Sequence, residues 1–147
     1  MYRMADGELS KFRNENIAVI PQGGGAIYSL TAEENIRLAR NIYGKKEEKD
    51  ILPLMKELGI EQLKDAYPSE LSGGMMQRVG IVSALLPEPE LILADEPTSA
   101  LDVLARQEVV RELLLVKKEI KGSLLCITHQ IEVARQLADQ GMIIRQG

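Results

Sequence analysis

Two adjacent acidic residues follow an apolar run near the middle of the chain. Residues 91–94 are typical of a buried strand, and Asp95 and Glu96 come directly after them. Ligands of open parallel sheets bind at the carboxyl ends of strands, so one acid could hold a hard divalent cation through oxygen. The other could polarise a water molecule for attack. On these two residues alone, a polar turn between a strand and a helix is the preferred interpretation.

A second candidate site is the predicted helix start at Ser72-Gly73-Gly74. Ser72 is a good N-cap, the glycines would let another group approach the backbone, and free N–H groups at a helix start attract anions. This arrangement suits a terminal phosphate. The alternative is an ordinary serine-capped helix with glycines in its first turn, and without further motifs it is a serious rival.

Two polar residues follow other predicted strands. Gln22 comes after the apolar run Ile17–Ile20, and His129, the only histidine, follows residues 124–128. A single glutamine or histidine at a strand end is not specific for any function. The weight of both residues therefore comes from their order along the chain relative to the other motifs.

Strand and helix patterns alternate in the second half of the chain. The strands are continuous apolar runs, which is typical of a parallel sheet covered on both faces. Between Thr31 and Leu86 only helical patterns occur, so this stretch is interpreted as a helical subdomain inserted into an α/β core. The predicted helices are one capped by Thr31 and Glu34, then about 48–58, 75–86, 103–120 and 131–138, and a last short strand is 142–144.

The composition fits a globular domain and excludes several classes of protein. The chain has 147 residues, 45% of them hydrophobic, and a net charge of -4, which argues against a nucleic-acid backbone as main partner. A membrane span needs about 18 consecutive apolar residues, and no apolar run approaches that length. The N-terminus lacks the apolar region of a signal peptide. The single cysteine, Cys126, is interpreted as a small buried hydrophobe. We expect a cytosolic protein that reaches a membrane only through a partner.

Taken together, the motifs resemble the nucleotide-binding domain of ATP-binding cassette (ABC) ATPases. Residues 91–102 resemble the Walker B segment, catalytic glutamate and D-loop, and residues 71–78 resemble the signature motif LSGGQ. Gln22 and His129 stand where the family has its Q-loop and H-loop, so four motifs follow the family's order. The resemblance implies an α/β, P-loop NTPase-like (RecA-like) parallel sheet core with an inserted α-helical subdomain, incomplete at the N-terminus.

The resemblance also implies catalytic and metal-binding roles, with ATP and Mg²⁺ as cofactors. Asp95 would hold Mg²⁺, directly or through water. Glu96 would be the general base that orients the attacking water, and His129 would contact the γ-phosphate. Gln22 would contact Mg²⁺ or the water and report the nucleotide state to a membrane partner.

In the family, two such domains pair head to tail around ATP. Ser72, Gly73 and Gly74 would bind the ATP of the partner domain, and Asp102 would lie in the D-loop at the dimer interface, near the nucleotide. The implied activity is ATP binding and hydrolysis coupled to transport. The implied partners are a second nucleotide-binding domain and transmembrane permease subunits, with no nucleic acid. The implied location is cytoplasmic, peripheral at the inner face of the cell membrane.

One residue departs from the family's signature, since Met75 replaces its glutamine. Methionine here, with Tyr67-Pro68 upstream and residues 101–103 downstream, is similar to the branch that powers peptide and nickel importers. We therefore expect import of a peptide or of nickel.

The 147 residues contain no G-x-x-x-x-G-K-[ST] pattern. The backbone and lysine of that P-loop cradle the phosphates, so this chain alone is expected to bind and hydrolyse ATP poorly. In the family the P-loop precedes the Q-loop, and residues 6–10 resemble the hairpin and linker that follow the P-loop helix. The P-loop strand lies beside the strand that ends in His129, so this strand should expose an unpaired edge. We expect reduced stability, or a gap filled by another chain.

We interpret residues 1–147 as a partial ABC nucleotide-binding domain. Its parts are 1–30, the Q-loop strand region; 31–86, the helical subdomain with the signature motif; and 87–147, the part of the core with Walker B, D-loop and H-loop.

Three hypotheses follow for the chain as a whole. It is a truncated sequence of an importer's ATPase subunit, a short non-catalytic partner or remnant, or a non-transport ABC ATPase of DNA repair or chromosome maintenance. The third requires a long coiled coil between Gln22 and Leu71, and that segment lacks sustained heptads. The retained Glu96 and His129 favour an incomplete copy of a working ATPase.

Overall fold

The computed structural model describes residues 5–42 and 50–143, which form one parallel sheet, six α-helices and three short 3-10 helices. The strands are β1 (Ile17–Ile20), β2 (Leu91–Asp95) and β3 (Ser123–Ile127), in the order β1-β2-β3. The helices are α1 (Asp6–Asn16), α2 (Ala32–Ile42), α3 (Leu52–Glu57), α4 (Gly73–Leu85), α5 (Val103–Glu119) and α6 (Ile131–Leu137). The architecture is α/β, as predicted, and the described residues between β1 and β2 contain helices and no strand.

One face of the sheet lies against the helices. The register pairs Ile20 with Ala94 and Ala94 with Cys126, and side chains paired in this way share a face. Ile20 and Ala94 are buried, and Cys126 packs against the same apolar cluster. The cluster includes the fully buried Ile81 of α4 and Leu113 of α5. The core therefore lies between this face and the two helices.

The opposite face of the sheet is partly exposed. Here the register aligns Val19, Leu93 and Leu125. Val19 is 48% exposed, Leu125 55% and Ile127 61%. The prediction that both faces are covered is therefore wrong for the described part of the chain. The continuous apolar runs show what the strands can bury, whereas the described helices cover only one face.

β3 has an unpaired edge in the described structure, as predicted. β3 pairs with β2 on one side, and no strand among residues 5–42 and 50–143 pairs with its other side. The α-helices described between Gln22 and Leu71 are short, since α2 has 11 residues and α3 has 6, and neither has the length of a long coiled coil. No described helix has both the length and the apolar character needed to cross a membrane.

Residues 6–10 do not form the predicted hairpin and linker, because they lie in α1. The acidic side chains of Asp6 and Glu8 in the first turn and Arg13 in the last turn complement the dipole of a helix. The Glu8 carboxylate also accepts a hydrogen bond from the backbone N–H of Ala5 at 3.2 Å. These local interactions favour a helix, although none of its residues is buried.

Two other predicted elements differ from the structure. The helix predicted at about 48–58 is observed as α3, which starts where the Asp50 carboxylate accepts a hydrogen bond from Leu52 N–H at 3.0 Å; residues 48 and 49 lie outside the described part. Met142 and Ile143, predicted to form a strand, are outside the sheet and are 87% and 81% exposed. Ile144 lies outside the described residues.

Candidate functional site

The loops after β2 and β3 bring Glu96 and His129 into contact. His129 Nδ1 lies 2.7 Å from Glu96 Oε1, and the backbone N–H of His129 donates to the same oxygen at 2.9 Å. The second oxygen, Glu96 Oε2, is buried and has no hydrogen-bond partner in the described structure. Buried polar atoms are nearly always paired, so this oxygen has capacity for a polar occupant such as water.

The backbone of Glu96 is strained. Its φ of 45° lies in the left-handed region, which costs a residue with a side chain about 1–3 kcal/mol. The Glu96 N–H donates to the carbonyl of Ile127 in β3 at 2.9 Å, and this bond helps to hold the conformation. Such strain persists only where neighbouring contacts enforce it, and it clusters at functional sites.

Asp95 and Gln22, the predicted Mg²⁺ ligands, lie at the ends of two neighbouring strands. Asp95 is the last residue of β2 and is exposed, while Gln22 begins the short turn Gln22–Gly24 after β1. No group of three or more metal-ligating His, Cys, Asp or Glu side chains occurs within residues 5–42 and 50–143. A carboxylate and an amide oxygen fit Mg²⁺, which usually keeps waters and phosphate oxygens as its other ligands.

The predicted anion site lies at the start of α4. Ser72 is the N-cap, and its hydroxyl accepts a hydrogen bond from Met75 N–H at 3.3 Å. A Cβ atom added to Gly74 would lie 3.2 Å from Ala105 Cβ, and one added to Gly73 would lie 3.4 Å from a methyl group of Leu101. The close approach that these glycines permit is therefore used in part by the chain's own Leu101 and by the first turn of α5.

Asp102 caps α5 beside the start of α4. Its carboxylate accepts a hydrogen bond from the backbone N–H of Ala105 at 2.9 Å. The side chain is exposed, as a residue at an interface or near a nucleotide would be. The first turns of α4 and α5 thus lie next to each other.

The turn that contains Gln22 packs directly on α4. A Cβ atom at Gly24, where φ is 84°, would lie 2.4 Å from the carbonyl oxygen of Met76. A Cβ atom at Gly80 would lie 2.8 Å from the carbonyl oxygen of Gly24. Both positions therefore require glycine, because the neighbouring atoms are backbone and cannot turn aside.

A partly buried charge cluster joins α4 to α5. Arg78 Nε lies 2.7 Å from Glu112, and a second nitrogen of Arg78 contacts Glu108. Burial raises the pKa of Glu112 to about 7; the charge of Arg78 acts against this shift, and the charge of Glu108 adds to it. Burial also raises the pKa of the half-buried Cys126 to about 11, to which the charge of Glu96 contributes. Cys126 is therefore a thiol at neutral pH.

Sequence reasoning assigned no role to three polar residues beside the site. Thr98 is fully buried, and its hydroxyl donates to Gln130 Oε1 at 2.8 Å. The hydroxyl of Ser99 accepts a hydrogen bond from Gln22 Nε2 at 2.9 Å. The available signal was adjacency, since Thr98 and Ser99 follow the two acids of the loop and Gln130 follows His129.

Comparison with known proteins gives one consistent family. Residues 3–99 match the family model described as "ABC transporter". The chain is 35% identical over 145 residues to the methionine import ATP-binding protein MetN of Cupriavidus pinatubonensis, covering 97% of this chain and 42% of the relative. It is 38% identical over 148 residues to MetN of Staphylococcus saprophyticus, and the match covers 96% of this chain and 43% of that relative. The chain thus spans less than half the length of these relatives.

Solved structures agree with the sequence comparison. The dimeric bacterial ABC transporter cassette MJ0796 is similar with a TM-score of 0.75 and 33% identity, over 90% of this chain and 60% of the cassette. A dimeric post-hydrolysis state of the same cassette, bound to ADP and Pi, gives a TM-score of 0.69 and 31% identity, over 91% and 61%. The fold is therefore that of ABC ATPase cassettes, the P-loop NTPase fold. The chain belongs to the ABC transporter family.

Proposed function

We propose that the chain is part of the ATP-binding subunit of an ABC importer and holds residues that act on ATP. The observation that supports this most directly is the contact of Glu96 with His129 at 2.7 Å, beside a buried Glu96 oxygen without a partner. In this proposal Glu96 is the general base that orients the attacking water, and His129 contacts the γ-phosphate. Glu96 Oε2 is the atom that would accept a hydrogen bond from that water.

The remaining site residues have binding roles in the same proposal. Asp95 and Gln22 supply oxygen ligands to Mg²⁺, which neutralises phosphate charge when bound. Residues 72–74 face the ATP of a second nucleotide-binding domain, where the N-terminal end of α4 favours an anion. Asp102 lies at the interface of that pair, near the nucleotide.

The isolated chain is expected to bind ATP weakly. The P-loop pattern is absent from the 147 residues, and its backbone and lysine normally supply most of the phosphate contacts. An NMR titration of the chain with MgATP tests this. We expect millimolar affinity and shifts at Gln22, Asp95, Glu96 and His129. The signature residues should stay unperturbed, because they face a partner's nucleotide.

Adenosine, which lacks phosphates, is the matched control ligand and should leave the signals of Glu96 and His129 in place. Micromolar affinity would overturn the claim of weak binding. A full MgATP titration without any response of Glu96 and His129 would overturn the proposed catalytic roles. It would instead favour a second candidate, a non-catalytic partner domain that only lends residues 72–74 to another domain.

The proposed substrate follows from the named relatives, which are methionine import proteins. The expectation of peptide or nickel import, based on Met75, finds no support among them. The proposed partners are permease subunits at the inner face of the membrane. A subunit that joins this chain to a P-loop segment, expressed with the permease genes that accompany this chain's gene, should restore methionine uptake in a bacterium that lacks its own importer. Glu96→Gln in that subunit should abolish the uptake. Uptake of a peptide or of nickel instead of methionine would overturn the proposed substrate.

A further inference from the structure

We propose that Gln130 is a positioning residue that holds His129 against Glu96. The inference rests on the proposed function, in which these two residues act on water and phosphate. Gln130 acts through its neighbours and not on the nucleotide. The evidence for this role is a set of hydrogen bonds that fixes the loop after β3 to the loop after β2.

The side chain of Gln130 forms two hydrogen bonds with Thr98. Thr98 is fully buried, and its hydroxyl donates to Gln130 Oε1 at 2.8 Å. Gln130 Nε2 donates to the carbonyl of Thr98 at 3.5 Å, a longer and weaker bond. The two residues are 32 positions apart, so this pair joins the loop of Glu96 to the start of α6.

The backbone of Gln130 is fixed as well. The backbone N–H of Gln130 donates a hydrogen bond to the hydroxyl of Thr128 at 3.1 Å, which helps to fix its position. Its carbonyl accepts the N–H of Ala134 at 3.1 Å, within the first turn of α6. His129 therefore lies between two residues that are tied to each other by a hydrogen bond.

His129 needs such support, because its side chain is 70% exposed. Packing does little to hold an exposed ring, and ordering a side chain costs conformational entropy. The alignment of Nδ1 with Glu96 Oε1 thus depends on the backbone on either side of the ring. The strained φ of Glu96 makes the opposite loop equally dependent on its contacts.

The single histidine offers a direct spectroscopic test. A carboxylate oxygen can only accept, so its contact with Nδ1 favours the neutral tautomer that has its proton on Nδ1. The ring nitrogens of His129 can be read by NMR without interference from other histidines. Spectra would be recorded without nucleotide at about pH 9, well above the ordinary range of an imidazole.

We expect the Nδ1–H form in the parent chain and its loss in Gln130→Ala and in Thr98→Val. Thr98→Val keeps the shape of the buried side chain but removes the donor. Thr98→Ser restores the hydroxyl and should restore the Nδ1–H form. Gln107→Ala, on the exposed side of α5, should keep it. Glu96→Ala gives the reference spectrum of a released ring.

An Nδ1–H form that persists in both Thr98→Val and Gln130→Ala would overturn the proposal, as would its absence from the parent chain. If Gln130→Ala does not fold, Thr98→Val and its rescue by Thr98→Ser decide. The tautomer is read without ATP. A MgATP titration without a response of Glu96 and His129 would therefore overturn the proposed function but not the tautomer result. A tautomer that does not change in the variants would overturn the role of Gln130 but not the proposed function.

Discussion

The side-chain amide of Gln22 donates a hydrogen bond to the hydroxyl of Ser99 across 2.9 Å. Ser99 in turn donates to the carbonyl of Glu96 at 3.1 Å. Gln22 follows β1 and Ser99 follows β2, so two hydrogen bonds in series connect the carboxyl ends of neighbouring strands. The loop of Glu96 is thus tied to β1 through Gln22, in addition to its bond to Ile127 in β3.

Ser99→Ala should remove both of these hydrogen bonds. We expect the free energy of unfolding to fall by about 1–3 kcal/mol, since two hydrogen bonds are lost and each contributes about 0.5–1.5 kcal/mol. The side-chain amide signals of Gln22 should shift, because the amide loses its acceptor. Urea denaturation and amide NMR measure the two effects. Ser10→Ala on the exposed helix α1 is the control and should change neither; Gln22 signals that stay in place in Ser99→Ala would refute the contact.

Glu112 should make stability depend on pH. Its pKa is raised from 4.5 to about 7 in the folded chain, mainly by burial. The folded state therefore binds the proton more tightly than the unfolded state, so the contribution of Glu112 is fully present below about 4.5 and is lost as pH rises through about 7.

Glu112→Gln should flatten this dependence, because glutamine stays neutral. Urea denaturation across the same pH range measures the slope. Glu61→Gln, at an exposed position, is the matched control and should retain the parent slope. An identical slope in the parent chain and in Glu112→Gln would contradict the raised pKa.

Gly80→Ala should disturb the turn that contains Gln22. The new Cβ would lie 2.8 Å from the carbonyl oxygen of Gly24 and 2.9 Å from its Cα, so the backbone itself must shift. We expect a loss of about 1–3 kcal/mol, typical of overpacking, together with shifted Gln22 amide signals. Gly7→Ala is the control, since no atom lies within 4 Å of its added Cβ, and alanine in α1 should be neutral or slightly stabilising. Equal stability of the two variants would argue against the contact.

We expect the isolated chain to associate with itself through the partly exposed face of the sheet, and Leu125→Thr should reduce this association. Leu125 lies on the partly exposed face of the sheet, where apolar side chains favour contact with other molecules. Threonine keeps the preference for a strand and removes apolar surface. Light scattering after gel filtration measures the change. Leu124→Thr, on the opposite face and packed against the core, should lower stability instead; equal self-association of the parent chain and Leu125→Thr would rule out this face as the cause.

Elements with strong local signals could be predicted closely from the sequence. Helix α5 was expected at 103–120 and is Val103–Glu119, because Asp102 caps it and its apolar residues recur at helical spacing. The three strands of the sheet were also found, because each is an apolar run that ends at proline or at polar residues. α1 could not be predicted in this way, since Leu9 and Phe12 are its only large apolar residues and none of its residues is buried.

Interactions between distant residues were harder to predict. The order of motifs placed Glu96 and His129 at one site, but their contact across 33 positions depends on two loop conformations. The pair of Thr98 and Gln130 depends on the same loops, and neither residue stands out in the sequence. The exposed sheet face was unpredictable for another reason, since an apolar pattern does not reveal whether another element covers it.

The contact of Gly24 with Gly80 has a mechanical consequence. The turn of Gln22 and the middle of α4 meet backbone against backbone, so a movement of one toward the other is blocked by atoms that cannot turn aside. Ser72 lies at the end of that same helix. In the proposed function Gln22 and Ser72 face two different nucleotides, and the packing of the Gln22 turn on α4 gives a continuous path of contacts between those two sites.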